Sequence, residues 1–224
     1  MAGPTLFRHL FQHAVRIATT ATLSLLALSA LPAHAQWTPL TAPGQATRVV
    51  AKEPTVLAIA RSARILAIGH SQGKSVAFYH PDTAALLGTT TLPKEPIAVA
   101  LTDDGSKAYA LYESSGIKIA AINTATRAIT ATWSTTGSPV GMVLNGSELL
   151  VADSNVNRLV GISTTSGAVT RTKVLSKQPQ MIGIGANATL ILVAVKNGEL
   201  QLLDSSTLNV TRTVTAGDDI RSLA

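Results

Sequence analysis

The 224-residue chain contains no cysteine. Disulfide bonds, thiolate zinc sites, iron–sulfur clusters, cysteine nucleophiles and C-x-x-C-H haem attachment are therefore excluded. Aromatic residues make up only 4% of the chain and charged residues 13%, whereas 46% of the residues are hydrophobic. Because a chain of this length and apolarity can bury a core, we expect a folded domain rather than a disordered segment.

The formal net charge is +6, but the basic residues are not clustered. Lysines and arginines stand singly among acids, and the few aromatic residues do not alternate with them. A nucleic-acid groove combines a basic stripe with aromatic stacking platforms. We therefore expect no nucleic-acid partner.

Residues 1–35 have the three-part layout of a secretory signal peptide. Arg8 and Arg16 flank a segment without acids, residues 17–31 are mostly apolar, and Ala33 and Ala35 form an A-x-A pattern. The apolar run is shorter than the roughly 20 residues that span a bilayer. We expect cleavage after residue 35, a periplasmic or secreted mature protein, and no stable membrane anchor.

Four similar segments open with Pro54, Pro96, Pro139 and Pro179, at intervals of 42, 43 and 40 residues. A period near 40 is typical of β-propeller blades or of helical-pair arrays. Each repeat contains four apolar runs rich in Val, Ile and Thr, separated by Gly, Asn, Asp and Ser. This pattern predicts four strands in each repeat rather than two helices.

The composition of the strands changes in one direction across each repeat. The first strand is rich in small residues, which suits close approach around a central axis. The second is apolar throughout, and the fourth alternates threonine with other residues, as a half-exposed outer strand does. In the second repeat we expect strands at 97–101, 108–112, 117–122 and 128–133. The sequence therefore predicts an all-β fold, a β-propeller of four-stranded blades.

The blade count predicts an open or incomplete propeller. After the signal peptide, residues 36–53 form an N-terminal segment with one strand of a partial blade, at 47–51. Residues 54–224 hold the repeats, with blades at 54–95, 96–138, 139–178 and 179–218 and a partial copy at 219–224. Such a fifth blade lacks its second strand, which leaves a buried-type edge uncovered. We expect an open arc that is a fragment of a larger propeller or that self-associates through its open edge.

Part of the second repeat, from Lys107-Ala-Tyr-Ala-Leu-Tyr to Arg127-Ala-Ile, resembles the YVTN-type β-propeller repeat. Residues 148–169 and 189–210 are similar to it as well, and Leu202-Leu203-Asp204 stands where that family often has Val-Ile-Asp. The residues equivalent to Asp204 are His80, Asn123 and Ser163. The resemblance implies an exported, bacterial-like propeller, a fold that serves binding scaffolds, surface proteins and enzyme domains.

The end of the blades that carries the turns between second and third strands is the expected binding site. Blade-to-blade connections such as Lys94-Glu95 meet the same end. His70, Glu113 and Asp153 are 43 and 40 residues apart, so we expect them at one position in successive blades. Such side chains can bind a metal or act as acid and base, or they can cap strand ends and turns. The candidate ligand-binding residues are His70, Lys74, Glu113, Asp153, Asn155, Arg158 and Lys196.

The chain contains no Gly-x-Ser-x-Gly elbow, phosphate loop or dinucleotide fingerprint. Asp103-Asp104-Gly105 predicts a hairpin turn rather than a pair of catalytic carboxylates. We therefore expect a non-catalytic scaffold without cofactor or metal that binds a protein, a cell-envelope component or a small ligand. The alternatives are a propeller enzyme of the lactonase or periplasmic dehydrogenase type, and a fragment whose site lies in absent blades.

Overall fold

The computed structural model describes residues 53–60, 62–185, 187–217 and 220. These residues form four antiparallel sheets of four strands each. The expected signal peptide lies outside the described residues. So do the expected strands at 47–51 and 219–224, apart from Ile220.

Each sheet is one blade, and its strands lie in chain order. The first blade consists of β1 (Pro54–Ala60), β2 (Ile65–His70), β3 (Ser75–Tyr79) and β4 (Leu86–Thr91). The second consists of β5 (Pro96–Leu101), β6 (Lys107–Glu113), β7 (Ile117–Asn123) and β8 (Ile129–Thr135). The third consists of β9 (Pro139–Asn145), β10 (Glu148–Asp153), β11 (Arg158–Ser163) and β12 (Val169–Val174). The fourth consists of β13 (Pro179–Ile184), β14 (Leu190–Val195), β15 (Glu199–Asp204) and β16 (Val210–Thr215).

Burial falls from the middle of each blade towards its fourth strand. In β6 every residue between the two ends is buried, and β10 is buried at all positions but the first. In β8 exposed and half-buried residues alternate, and every residue of β16 is exposed. The predicted gradient from a buried second strand to an exposed outer strand is confirmed.

The blades stand side by side around their first strands. β1 contacts β5, β5 contacts β9, and β9 contacts β13. One hydrophobic core lies between each pair of successive blades, which gives three cores over the described ranges. No strand pairing among the described residues joins the first blade to the fourth. The expected all-β, open arrangement of propeller blades is confirmed.

Different side chains fasten the outer parts of the three interfaces between blades. Arg127 of the second blade lies over the Phe78 ring, 4.9 Å from its centroid, and its Nε donates to the Leu87 carbonyl at 3.2 Å. Trp133 stacks on Tyr109 with ring centroids 6.0 Å apart. The other side of Trp133 lies so close to Gly167 of the third blade that a Cβ there would overlap the indole. Trp133 is therefore a packing residue, as the sequence predicted.

Arg171 fastens the third blade to the fourth. Its Nη2 lies 2.5 Å from Oε2 of Glu148, and the same nitrogen donates to the Ser205 carbonyl at 2.9 Å. Its Nη1 donates to the carbonyl of Ser206. Each blade is thus fixed against its successor by a hydrophobic core and by one large side chain near the outer strands.

The turns between third and fourth strands share one hydrogen-bond arrangement. Asn123 Oδ1 accepts from the amides of residues 125 and 126 at 2.9 and 3.0 Å, and Ser163 Oγ accepts from residues 165 and 166 at 3.2 and 3.3 Å. Asp204 Oδ1 accepts from residues 206 and 207 at 3.0 and 2.8 Å, and His80 Nδ1 accepts from residue 82 at 3.3 Å. These four types replace one another because each supplies an acceptor to the turn.

Asp103-Asp104-Gly105 forms the turn between β5 and β6, as predicted. Oδ1 of Asp104 accepts from the Thr102 hydroxyl at 2.6 Å and from the Ser106 amide at 3.0 Å. These hydrogen bonds, with that from the Ser106 hydroxyl, lower the pKa of the Asp104 carboxyl. The carboxylate therefore stabilises a turn.

Candidate functional site at the rim

We call one end of the blades the rim. It is formed by the turns between second and third strands and by the connections 92–95, 136–138 and 175–178. Backbone hydrogen bonds hold three of these turns against the segment that precedes the blade: the amides of Ser71, Ser154 and Lys196 donate to the carbonyls of Glu53, Ser138 and Gln178 at 3.2, 2.9 and 2.8 Å. The rim therefore consists of turns supported by rigid strands.

The strand register places Tyr112, not Glu113, at the position of His70 and Asp153. The prolines that open the blades pair with His70, Tyr112, Asp153 and Val195 in turn. The expectation that Glu113 occupies this position is off by one residue. The reason is turn length, because the second blade has a three-residue turn at 114–116 where the first has four residues at 71–74.

His70 lies on the side of the first blade that faces away from the second. The neighbouring Gly69 points to the second blade, since a Cβ there would lie 2.8 Å from Pro96. Successive side chains of a strand point to opposite faces, so the imidazole of His70 points the other way. It is only 2% exposed. His70 is therefore buried and does not face the space between the first and second blades.

Asp153 is completely buried and is a hydrogen-bonding centre of the third blade. Its Oδ1 accepts from the amides of Ser138 at 2.9 Å and Asn155 at 3.1 Å, and its Oδ2 lies 2.9 Å from Nε of Arg158. Arg158 also donates from Nη2 to the Thr136 carbonyl at 2.9 Å. Asp153 and Arg158 thus tie the turn of the third blade to the connection from the second. The Asn155 residue is exposed in this turn.

A pocket of about 330 Å³ opens at the rim between the first and second blades. Two of the predicted residues, Lys74 and Glu113, line it. Lys74 belongs to the turn after β2, and Glu113 ends β6. Lys94, Glu95 and Ile97 complete the lining. The sequence argument placed the Lys94-Glu95 connection at this end but did not select it as a site.

The charged groups of this rim pocket are largely unused. In the described part of the chain, Lys74, Lys94 and Glu95 form no ion pair, and Glu113 only accepts from the Ser138 hydroxyl at 3.0 Å. All four residues are exposed. Elsewhere on the rim, Asp153 is paired with Arg158 and Lys177 with Glu199. Unpaired charges of both signs therefore meet between the first two blades.

Lys196 stands apart from this pocket. It is exposed in the turn after β14 of the fourth blade. The predicted residues thus fall into separate places: Lys74 and Glu113 line the rim pocket, Asp153, Asn155 and Arg158 belong to the third blade, and His70 and Lys196 lie elsewhere.

A second pocket, of about 400 Å³, lies at the opposite end of the blades between the third and the fourth. Glu148, Arg171, Asn145 and Ser205 are among its lining residues. Its polar groups already bind one another, since Arg171 pairs with Glu148 and Nδ2 of Asn145 donates to the Ser205 carbonyl at 3.0 Å. The polar chemistry of this pocket holds two blades together.

Within the ranges that the structure describes, no three His, Asp or Glu side chains lie close enough together to hold a metal ion. His70, Glu113 and Asp153 are therefore not assembled into one centre.

The same ranges contain no helix with the length and apolarity required to cross a membrane.

The fold is similar to that of several solved structures. Hydrazine synthase from Kuenenia stuttgartiensis superposes with a TM-score of 0.67 and 19% identity, over 75% of this chain and 51% of that one. The β-propeller domain of Myceliophteria thermophila Cps50 (Swd1) gives a TM-score of 0.63 and 12% identity, over 76% and 59%. A Bacteroides caccae protein of unknown function gives 0.58 and 16%, over 73% and 61%.

These similarities show a β-propeller fold. At under 20% identity they carry no information on activity, since propellers host many unrelated functions. The matched part of the superposition spans between one half and about three fifths of each solved chain. No family model and no curated protein matches the sequence.

Proposed function

We propose that the chain is an exported propeller protein of the YVTN type that binds a small anionic ligand at the rim without converting it chemically. The single observation that carries this proposal is the rim pocket, in which Lys74 and Lys94 lie with Glu95 and Glu113 and form no ion pair with them. Unpaired charges around a concave surface are available to a ligand.

The residues of the rim pocket suggest the chemistry of the ligand. Two lysine ammonium groups suit a carboxylate, which accepts short, charge-assisted hydrogen bonds. Glu95 and Glu113 can accept from hydroxyl or ammonium groups of the same molecule. Ile97 adds an apolar contact. A ligand with a carboxylate beside such donors, as in acidic sugars and short peptides of the cell envelope, matches all of these groups.

A binding role agrees with the positions of the acid and base candidates. General acid–base catalysis needs its groups within hydrogen-bond reach of one reacting atom. His70 points to the far side of the first blade, and Asp153 is occupied by Arg158 and two amides. The carboxylates left at the pocket, Glu95 and Glu113, lie beside lysines that bind rather than react.

Export follows from the pattern of residues 1–35. Mass spectrometry of protein from the periplasm or medium should find a chain that begins at Gln36. A chain that retains residues 1–35 inside the cell would contradict this part of the proposal.

Calorimetric titration tests the ligand class. Glucuronate, muramic acid and the dipeptide Ala-Glu are the probes, with glucose as the neutral counterpart of glucuronate. We expect glucuronate to bind and glucose not to bind. The double substitution Lys74→Ala/Lys94→Ala should weaken binding about tenfold, because exposed ion pairs each contribute up to about 1 kcal/mol.

Lys107→Ala is the matched control, since Lys107 is an exposed lysine at the opposite end of the second blade. It should leave binding unchanged. Failure of every carboxylated probe to bind, or an equal loss with Lys107→Ala, would refute the proposed site.

A further inference from the structure

The first blade has an apolar side that no described blade covers. By strand register, Leu57 of β1 is equivalent to Val99 of β5 and Met142 of β9. Val99 and Met142 pack on the preceding blade and are 8% and 6% exposed. Leu57, which has no preceding blade among the described residues, is 70% exposed. Ile59 on the same side is 47% exposed.

The fourth blade has the complementary uncovered side. Leu192 of β14 is equivalent to Leu150 of β10, and Leu200 of β15 to Leu159 of β11. Leu150 and Leu159 are completely buried in the core against the fourth blade. Leu192, Leu200 and the neighbouring Leu202 are only half-buried. We name these two surfaces the leading face, on the first blade, and the trailing face, on the fourth blade.

The two faces are the halves of one kind of interface. Within the described chain, a trailing-type face meets a leading-type face three times, and each meeting forms a hydrophobic core. The free leading face and the free trailing face present the same positions with apolar side chains. One chain therefore carries both surfaces needed to bind a second copy of itself.

We propose that two copies of the chain close a ring of eight blades, with the leading face of each copy packed on the trailing face of the other. This inference does not depend on the proposed ligand. Eight blades lie within the usual range of four to eight. A two-fold axis relates the two new interfaces, so the assembly is closed and does not extend into a filament.

The experiment is light scattering on the full chain, produced with its own residues 1–35 and purified after export. We expect twice the mass of one copy. Leu57→Glu on the leading face or Leu202→Glu on the trailing face should each raise the dissociation constant at least about 100-fold, because each places an unpaired charge in both interfaces.

Val174→Glu is the matched control. Val174 lies on the outer strand β12 of the third blade and is 73% exposed, as much as Leu57. It should remain a dimer. Circular dichroism of all variants checks that the sheets are intact.

A mixture of Leu57→Glu and Leu202→Lys copies tests the head-to-tail arrangement. In a mixed pair one interface is native, and the other sets the introduced carboxylate of one copy against the introduced ammonium of the other. We therefore expect dimers to return on mixing. A monomeric wild-type chain, whatever covers its faces, would overturn the proposal. So would a dimer that resists both substitutions, or one that only the leading-face variant breaks.

Discussion

The two ends of the blades use their polar side chains differently. At the end opposite the rim, an acceptor after the third strand binds the turn amides in every blade, whether it is Asn123, Ser163 or another type. At the rim, the third blade buries Asp153 in a similar local network, but the first two blades leave Lys74, Lys94 and Glu95 without ion pairs to any described residue. Recurrent hydrogen bonds therefore indicate stability, and the unpaired charges indicate the place for a ligand.

The largest expected effect is at the end opposite the rim. Gly167 has φ +72°, and a Cβ there would overlap the Trp133 ring. We expect Gly167→Ala to reduce the free energy of unfolding by about 2–4 kcal/mol, as overpacking adds to the cost of the left-handed conformation. Urea denaturation measures this. Gly146→Ala is the control, because Gly146 has φ +60° but no neighbour within 4 Å; it should cost about 1 kcal/mol.

The overlap can be separated from the backbone conformation. Arg127 and Leu208 occupy the turn position of Gly167 with φ 64° and 57°, so the conformation alone is tolerated there. In a Trp133→Ala background the cost of Gly167→Ala should fall to that of the control. An unchanged cost would contradict the role of the indole.

The next effect separates structural from exposed residues on the rim itself. Asp153→Ala removes a buried acceptor from two amides and Arg158. We expect a loss of about 2–3 kcal/mol in the free energy of unfolding, because the donors lose their partner. Glu113→Ala, at an exposed carboxylate, should cost less than about 1 kcal/mol. Equal costs would mean that the rim is uniform and would remove this contrast.

The smallest effect concerns the pH dependence of the turn capped by Asp204. Hydrogen bonds from Ser206 and Thr207 lower the pKa of Asp204 from 3.8 to about 2. Since the folded pKa lies below the unfolded one, the ionised group stabilises the fold above pH 4, and this contribution is lost as the pH falls towards 2. Asp204→Ser, which copies Ser163, should lower the melting temperature slightly at pH 7. The difference from the wild type should narrow by pH 2, and a constant difference would contradict this.

Most of the fold could be predicted from the sequence. The opening prolines and the apolar runs gave strand positions in the second blade within about two residues, since burial alternates or persists with strand position. The site was harder to predict. One residue fewer in a turn moves Glu113 out of the position of His70, and a strand side chain then changes face.

Pairing across turns and connections was also invisible to a spacing argument. Arg158 neutralises Asp153 only because a hairpin folds it back. Lys94 and Glu95 reach the rim pocket from a connection. Their Lys-Glu-Pro sequence, which also occurs before Pro54, was the available sign of a recurring rim segment.

The neighbour-only contacts of the blades also determine how the protein should unfold. The second and third blades pack on two neighbours, whereas the first and fourth pack on one described neighbour each. In such linear arrays, stability is a sum over units and their contacts, so a single chain should lose its end units first. Amide hydrogens of β2 and β14 should then exchange with solvent faster than those of β6 and β10. Ring closure would remove both ends and equalise the four rates, so exchange measured across a dilution series reports fraying and assembly together.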